Sequence, residues 1–140
     1  MSTIVAIADA VAAALNAGTF SVPVEAVRMF QPVFTLEELQ ALRVSVVPRS
    51  TGITTASRDS SVFECQIDVG VQKKVSGDAE IDGLLGLIDE IADHLRLKRL
   101  PGFADAAWAG IAHDPVVSSE ALAEHRTLTS VLTVTYRVRR

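Results

Sequence analysis

Residues 126–140 read RTLTSVLTVTYRVRR. Leu128, Leu132, Val134, Tyr136 and Val138 fall on one side of this stretch, and Thr127, Thr129, Thr133, Thr135, Arg137 and Arg139 on the other; Val131 is the exception. A period of two is the mark of an antiparallel strand with one face in the core and one in water. Residues 62–74, VFECQIDVGVQKK, repeat the pattern, with Phe63, Cys65, Ile67, Val69 and Val71 against Glu64, Gln66, Asp68, Gly70 and Gln72. Two strands of about twelve residues would reach nearly 40 Å at roughly 3.3 Å per residue, more than a domain this small needs. Either a strand pair projects beyond the core or another subunit covers its edge.

The rest of the chain supplies helices for these strands to pack against. Ile4, Ile7, Ala8, Val11 and Leu15 recur at helical spacing behind Ser2 and Thr3 as caps, and Asn16–Gly18 supplies a stop. Ile81, Leu84, Leu85, Ile88, Ile91, Ala92 and Leu95 define a second amphipathic helix, with Lys98 and Arg99 at its C-terminal end and Pro101–Gly102 terminating it. FSVPVEAVRMF from Phe20 alternates, and Pro23 confines it to a sheet edge. Thr35 and Glu38 have the spacing of a capping box and predict about two turns of helix. RVSVVP is a short strand, DAAWAGIAH another, and SSEALAEH a short helix capped by Ser118 or Ser119. Between Arg49 and Ser60 only Ile53 is a sizeable apolar residue, so this segment is expected to be a mobile polar loop. Strands with one apolar face and two helices with apolar stripes predict a single α+β domain over residues 1–140. It is a two-layer sandwich, with a mostly antiparallel or mixed sheet and both main helices on one face.

Composition narrows the function classes. The 140 residues carry a net charge of −4 and hydrophobic residues make up 49%. A folded domain follows, and general binding to duplex nucleic acid or a membrane surface is disfavoured. No apolar stretch is long enough to span a bilayer and no signal-peptide pattern is present, so synthesis in the cytoplasm is expected. Cys65 is the one cysteine and faces the core in its strand, which leaves no disulfide framework and no metal-ligating cysteine cluster.

Catalytic constellations are equally sparse. Asp89, Asp93 and His94 could be drawn as a metal site, but Asp89 and His94 do not share a helical face. His113 and His125 flank turns and are read as surface groups or local hydrogen-bond partners. No serine lies in a nucleophile motif, Asp78, Glu80 and Asp82 suit a helix N-terminus, and Gly83 and Gly86 fall inside a helix and form no phosphate loop. No catalytic, cofactor or metal site is expected, and function is assigned to surfaces.

The order of elements resembles the tail terminator or tail-completion (minor tail) proteins of long-tailed bacteriophages. The resemblance runs over most of the chain. It is carried by ALN in the first helix, LEELQALRVSVVPRS, the polar segment with Arg58, FECQIDVGVQKK, IDGLLGLIDEIADHL and LTSVLTVTYRVRR. It implies a structural protein without cofactors, a homo-oligomeric and commonly hexameric ring in the virion tail. That ring stops polymerisation of the tail tube and supports head–tail joining, with tail tube and head–tail connector proteins as partners. DNA enters only as it passes through the lumen. Arg49, Arg58, Asp59, Arg137, Arg139 and Arg140 are then the candidate contacts to neighbouring subunits, the tail tube or the lumen. Other readings are a head–tail neck protein, an enzyme or ligand-binding domain with a pocket near Trp108 and Tyr136, and a non-viral module that dimerises through its terminal strands.

Overall fold

The computed structural model describes residues 2–140. Helix α1 (Thr3–Ala17) is followed by strand β1 (Ala26–Arg28), a 3-10 turn at Glu38–Gln40, strands β2 (Arg43–Ser57) and β3 (Ser60–Lys74), helix α2 (Asp78–Leu95), strand β4 (Ala107–His113), helix α3 (Ser119–His125) and strand β5 (Thr127–Arg139). The five strands form one mixed sheet in the order β1-β2-β3-β5-β4, antiparallel except where β1 runs parallel to β2. The predicted α+β sandwich is what the chain adopts.

The core sits between the sheet and the two long helices. Cys65, Ile67, Val69 and Val71 of β3 and Leu132, Val134, Tyr136 and Val138 of β5 are all buried, as alternation requires, and they share one apolar cluster with Ile7, Val11 and Leu15 of α1 and Leu87, Ile88 and Ile91 of α2. Fully burying a large aliphatic side chain is worth about 1.5–3 kcal/mol, so this single cluster dominates stability. Leu87 is fully buried although the expected stripe omitted it, whereas Leu85 is only half-buried.

Local signals fare unevenly. Thr35 and Glu38 do form the capping box, Thr35 N donating to Glu38 Oε1 and Glu38 N donating to Thr35 Oγ1, both at 3.1 Å. The helix they start is one 3-10 turn, shorter than the two turns expected. The first strand is peripheral, as Pro23 suggested, but only Ala26–Arg28 pairs. It is pinned to α1 by Asn16, whose amide bonds both the N–H (2.7 Å) and the carbonyl (2.9 Å) of Ala26. Helix α2 ends at Leu95, before Lys98, Arg99 and Pro101: the cap residue Arg96 is already extended (ψ 140°), and Leu97 follows with a positive φ of 59°.

The largest correction concerns residues 49–60. The segment is not a loop: β2 runs on to Ser57 and pairs with β3 as far as Ser57 opposite Ser60, so only Arg58 and Asp59 turn the hairpin. Thr51, Ile53, Thr54 and Thr55 are β-branched, and an extended partner is available in the start of β3, with Ile53 opposite Phe63. Neither turn residue has a positive φ, and an extra residue at Ala56 takes up the misfit between such a turn and the strand twist.

Candidate functional site

The two faces of the sheet differ at the hairpin end. One carries the helices. On the other, Ser50, Gly52 and Thr54 of β2, Val62, Glu64 and Gln66 of β3, Thr135, Arg137 and Arg139 of β5 and Ala107, Gly110 and Ala112 of β4 are exposed or half-buried. Alternation dictates the polarity of this face, but the pairing register decides which side chains meet on it.

Register brings the charges into pairs. Glu64 lies opposite Arg137, and Arg137 Nε donates to Glu64 Oε2 at 3.0 Å. Asp68 lies opposite Thr133, whose hydroxyl donates to Asp68 Oδ1 at 2.7 Å. Arg49 is the extra residue of a bulge between Pro48 and Ser50, which lets its guanidinium reach back over the sheet. Its Nη1 lies 3.2 Å from Thr133 Oγ1 and 3.4 Å from Asp68 Oδ1. Strand alternation alone could flag Glu64, Asp68 and Thr133 as outward-facing; only the register identifies them as partners of the arginines.

The remaining candidates are spread out. Arg58 and Asp59 form the exposed hairpin tip, and Arg58 makes no ion pair among the described residues. Arg139 Nε donates to Ser60 Oγ at 3.2 Å beside the tip. Arg140 turns the other way. Its main chain pairs with Ser61, its Nη1 donates to Thr3 Oγ1 at 2.6 Å, and its guanidinium lies 5.2 Å from the centre of the Phe63 ring. It therefore ties the final strand to the start of α1. The structure gathers Arg49, Arg137 and Arg139 on one polar face, sets Arg58 and Asp59 at its tip, and removes Arg140 to the helix layer.

The histidines engage neighbouring groups. His94 Nε2 is 2.9 Å from the carbonyl of Ala14, and His113 Nε2 is 2.6 Å from Ser130 Oγ. Cys65 is fully buried and burial pushes its thiol pKa up, which favours the unreactive protonated form. Trp108 and Tyr136 are cross-strand neighbours, and neither the indole N–H nor the phenol has a hydrogen-bond partner among the described residues. Burial raises the Tyr136 phenol above its ordinary pKa. An apolar cavity lies elsewhere, between α1 and the end of α2, lined by Ala14, His94, Leu95 and Pro101 among others. Its volume of about 180 Å³ is below the usual range for drug-sized ligands. Strand β5 lies between β3 and β4, which excludes dimerisation by edge-to-edge pairing of terminal strands. No helix among the described residues is long and apolar enough to cross a membrane. The chain matches no protein-family model and no curated protein.

Proposed function

We propose that this chain is a structural subunit of a long-tailed bacteriophage, a tail terminator or tail-completion protein. Copies form a ring, commonly a hexamer, on the end of the tail tube, halt its growth and support joining of the head. In this reading the work is done by surfaces without a cofactor, and the protein resides in the virion tail after synthesis in the host cytoplasm. The observation that carries the reading is the polar sheet face with Arg49, Arg137 and Arg139, uncovered by helices and continuing to the hairpin tip at Arg58. The resemblance in element order over most of the chain supports it.

The test is the solution mass by light scattering at two protein concentrations and two salt strengths, alone and with the tail tube protein. A ring near six subunits, formed alone or on the tube, is the expected result. The Arg58→Ala/Arg137→Ala double variant should fold normally and lose tail joining. Unimpaired ring formation and joining by that variant would remove the arginines from the reading. A chain that neither assembles nor binds the tube would shift the assignment to a neck protein or a ligand-binding domain.

A further inference from the structure

The sheet has two bare edges, and they match each other. β1 covers β2 only at Val44–Val46, so among the described residues no strand lies beside β2 from Ser50 to Ser57. β4 is the last strand on the other side, leaving its outer edge open from Ala107 to His113. The two stretches, STGITTAS and AWAGIAH, contain no proline, lysine, arginine or carboxylate, and Ile53 is 59% exposed. Edge strands are ordinarily blunted by charge, proline or a covering element. Here only bulges at Arg49, Ala56 and Ala109 interrupt the edges.

Charge sits instead at the ends of each stretch. Arg49 and Arg58 bracket the β2 edge, and Asp105 and Asp114 bracket the β4 edge. Both brackets span nine residue steps, and each encloses one bulge residue, Ala56 or Ala109, so the extended lengths stay comparable. The antiparallel register that keeps the two faces aligned sets Ile53 opposite Ile111 and Ser50 opposite Asp114, which brings Arg49 and Arg58 within one residue of Asp114 and Asp105. Arg58, Asp105 and Asp114 are exposed and without an ion pair among the described residues, and Arg49 holds Asp68 at only 3.4 Å.

Strand direction agrees with this register. β2, β3, β5 and β4 alternate in direction, so β4 runs opposite to β2. A second copy placed alongside in the same orientation offers its β4 antiparallel to this β2, with the polar faces on one side. Pairing like edges is worse: antiparallel β2 against β2 sets Arg49 against Arg58, and β4 against β4 sets Asp105 against Asp114.

We propose that copies of this chain join head to tail, the β2 edge at residues 50–57 of one pairing with the β4 edge at residues 107–113 of the next. Arg49 and Arg58, one residue diagonal to Asp114 and Asp105, attract them at the two ends. Such a heterologous contact repeats into a closed ring or an open filament, according to the rotation between neighbours. The inference rests on the ring reading above and specifies its interface.

The experiment uses two blocked variants, Ile53→Lys/Thr55→Lys on β2 and Ala107→Lys/Ala112→Lys on β4. All four positions are exposed, and circular dichroism with thermal melting checks the fold. Sedimentation of wild type up to millimolar concentration should show assembly, each blocked variant alone should be monomeric, and a one-to-one mixture should give heterodimers through the one intact pair of edges. Arg58→Asp and Asp105→Arg should each weaken association at least about tenfold, and combining them in one chain should restore it. Blocked variants that assemble like wild type overturn the edge pairing and leave the ring reading standing. Assembly that survives the β4 block and fails with the β2 block, or the reverse, overturns it in favour of like-with-like pairing. Charge reversals that do not rescue each other overturn the register. A wild type that stays monomeric across the range overturns the pairing, and the tail-tube experiment then decides the ring reading independently.

Discussion

Glu64 and Arg137 face each other across β3 and β5 on the open side of the sheet, joined at 3.0 Å by a hydrogen bond from Arg137 Nε to Glu64 Oε2. Their side chains are 45% and 58% exposed, and exposed ion pairs contribute only about 0.2–1 kcal/mol. Arg137→Ala should therefore lower unfolding free energy in urea by less than about 1 kcal/mol. Its effect belongs in assembly or tail joining instead. A loss above about 2 kcal/mol would reassign Arg137 to the scaffold.

Glu80 joins the end of β3 to the first turn of α2. It accepts from Lys73 Nζ at 2.5 Å and from Ser76 N and Oγ at 3.1 and 3.0 Å. The hydrogen bond from Lys73, then those from Ser76, hold its carboxyl down to a pKa of about 2. Since the folded pKa lies below the ordinary value of 4.5, ionised Glu80 favours the native state at neutral pH. That contribution is lost as pH falls from about 4.5 toward 2. Thermal melting from pH 7 to pH 2.5 should show wild type above Glu80→Gln at neutral pH and the two converging below pH 4. A constant difference across the range would contradict the assignment.

Asn16 replaces a strand partner for Ala26, taking both of its main-chain groups. Asn16→Ala leaves two polar groups of a 5%-exposed residue without that partner, and should cost about 1–3 kcal/mol in urea unfolding. Asn16→Asp keeps the acceptor and loses the donor, and should fall between the two. A loss near zero for alanine would mean that solvent substitutes for the amide.

Tyr136 is fully buried with an unpartnered hydroxyl. Removing an unsatisfied buried polar atom without changing shape is neutral or favourable, so Tyr136→Phe should match wild type or exceed it by up to about 1 kcal/mol. Denaturant unfolding reads this directly, and a clear loss would reveal a buried water or polar ligand between Tyr136 and Trp108.

Leu97 has a positive φ of 59° directly after the extended cap residue Arg96, a turn position that favours glycine, and it is 74% exposed. A left-handed side-chain-bearing residue costs roughly 1–2 kcal/mol. Leu97→Gly should raise stability, by about 1 kcal/mol once the flexibility of glycine in the unfolded chain is discounted. Unchanged or lower stability would show that the Leu97 side chain contributes packing.

The polar stretch Arg49–Ser60 shows where pattern reading failed. Its serines and threonines are turn formers in isolation, and it lacks the alternation that marks a half-buried strand, because neither side of the β2 edge there is covered. Thr51 and Ile53 become strand residues through pairing with Cys65 and Phe63, a contact between segments that local propensity does not contain.

The amino-acid sequence by itself determined the faces. A period of two in residues 62–74 and 127–139, and a period near 3.6 in α1 and α2, require those side chains to segregate between core and water in any compact fold. The reach of Arg49 over the face that already carries Arg137 and Arg139, the partners Asp68, Glu64 and Ser60 of these three arginines, and the diversion of Arg140 to α1 were decided only by tertiary structure. The same is true of the two bare edges. Strand order, register and a one-residue bulge are set by which distant segments satisfy each other's backbone hydrogen bonds, and that competition is settled across the whole chain at once.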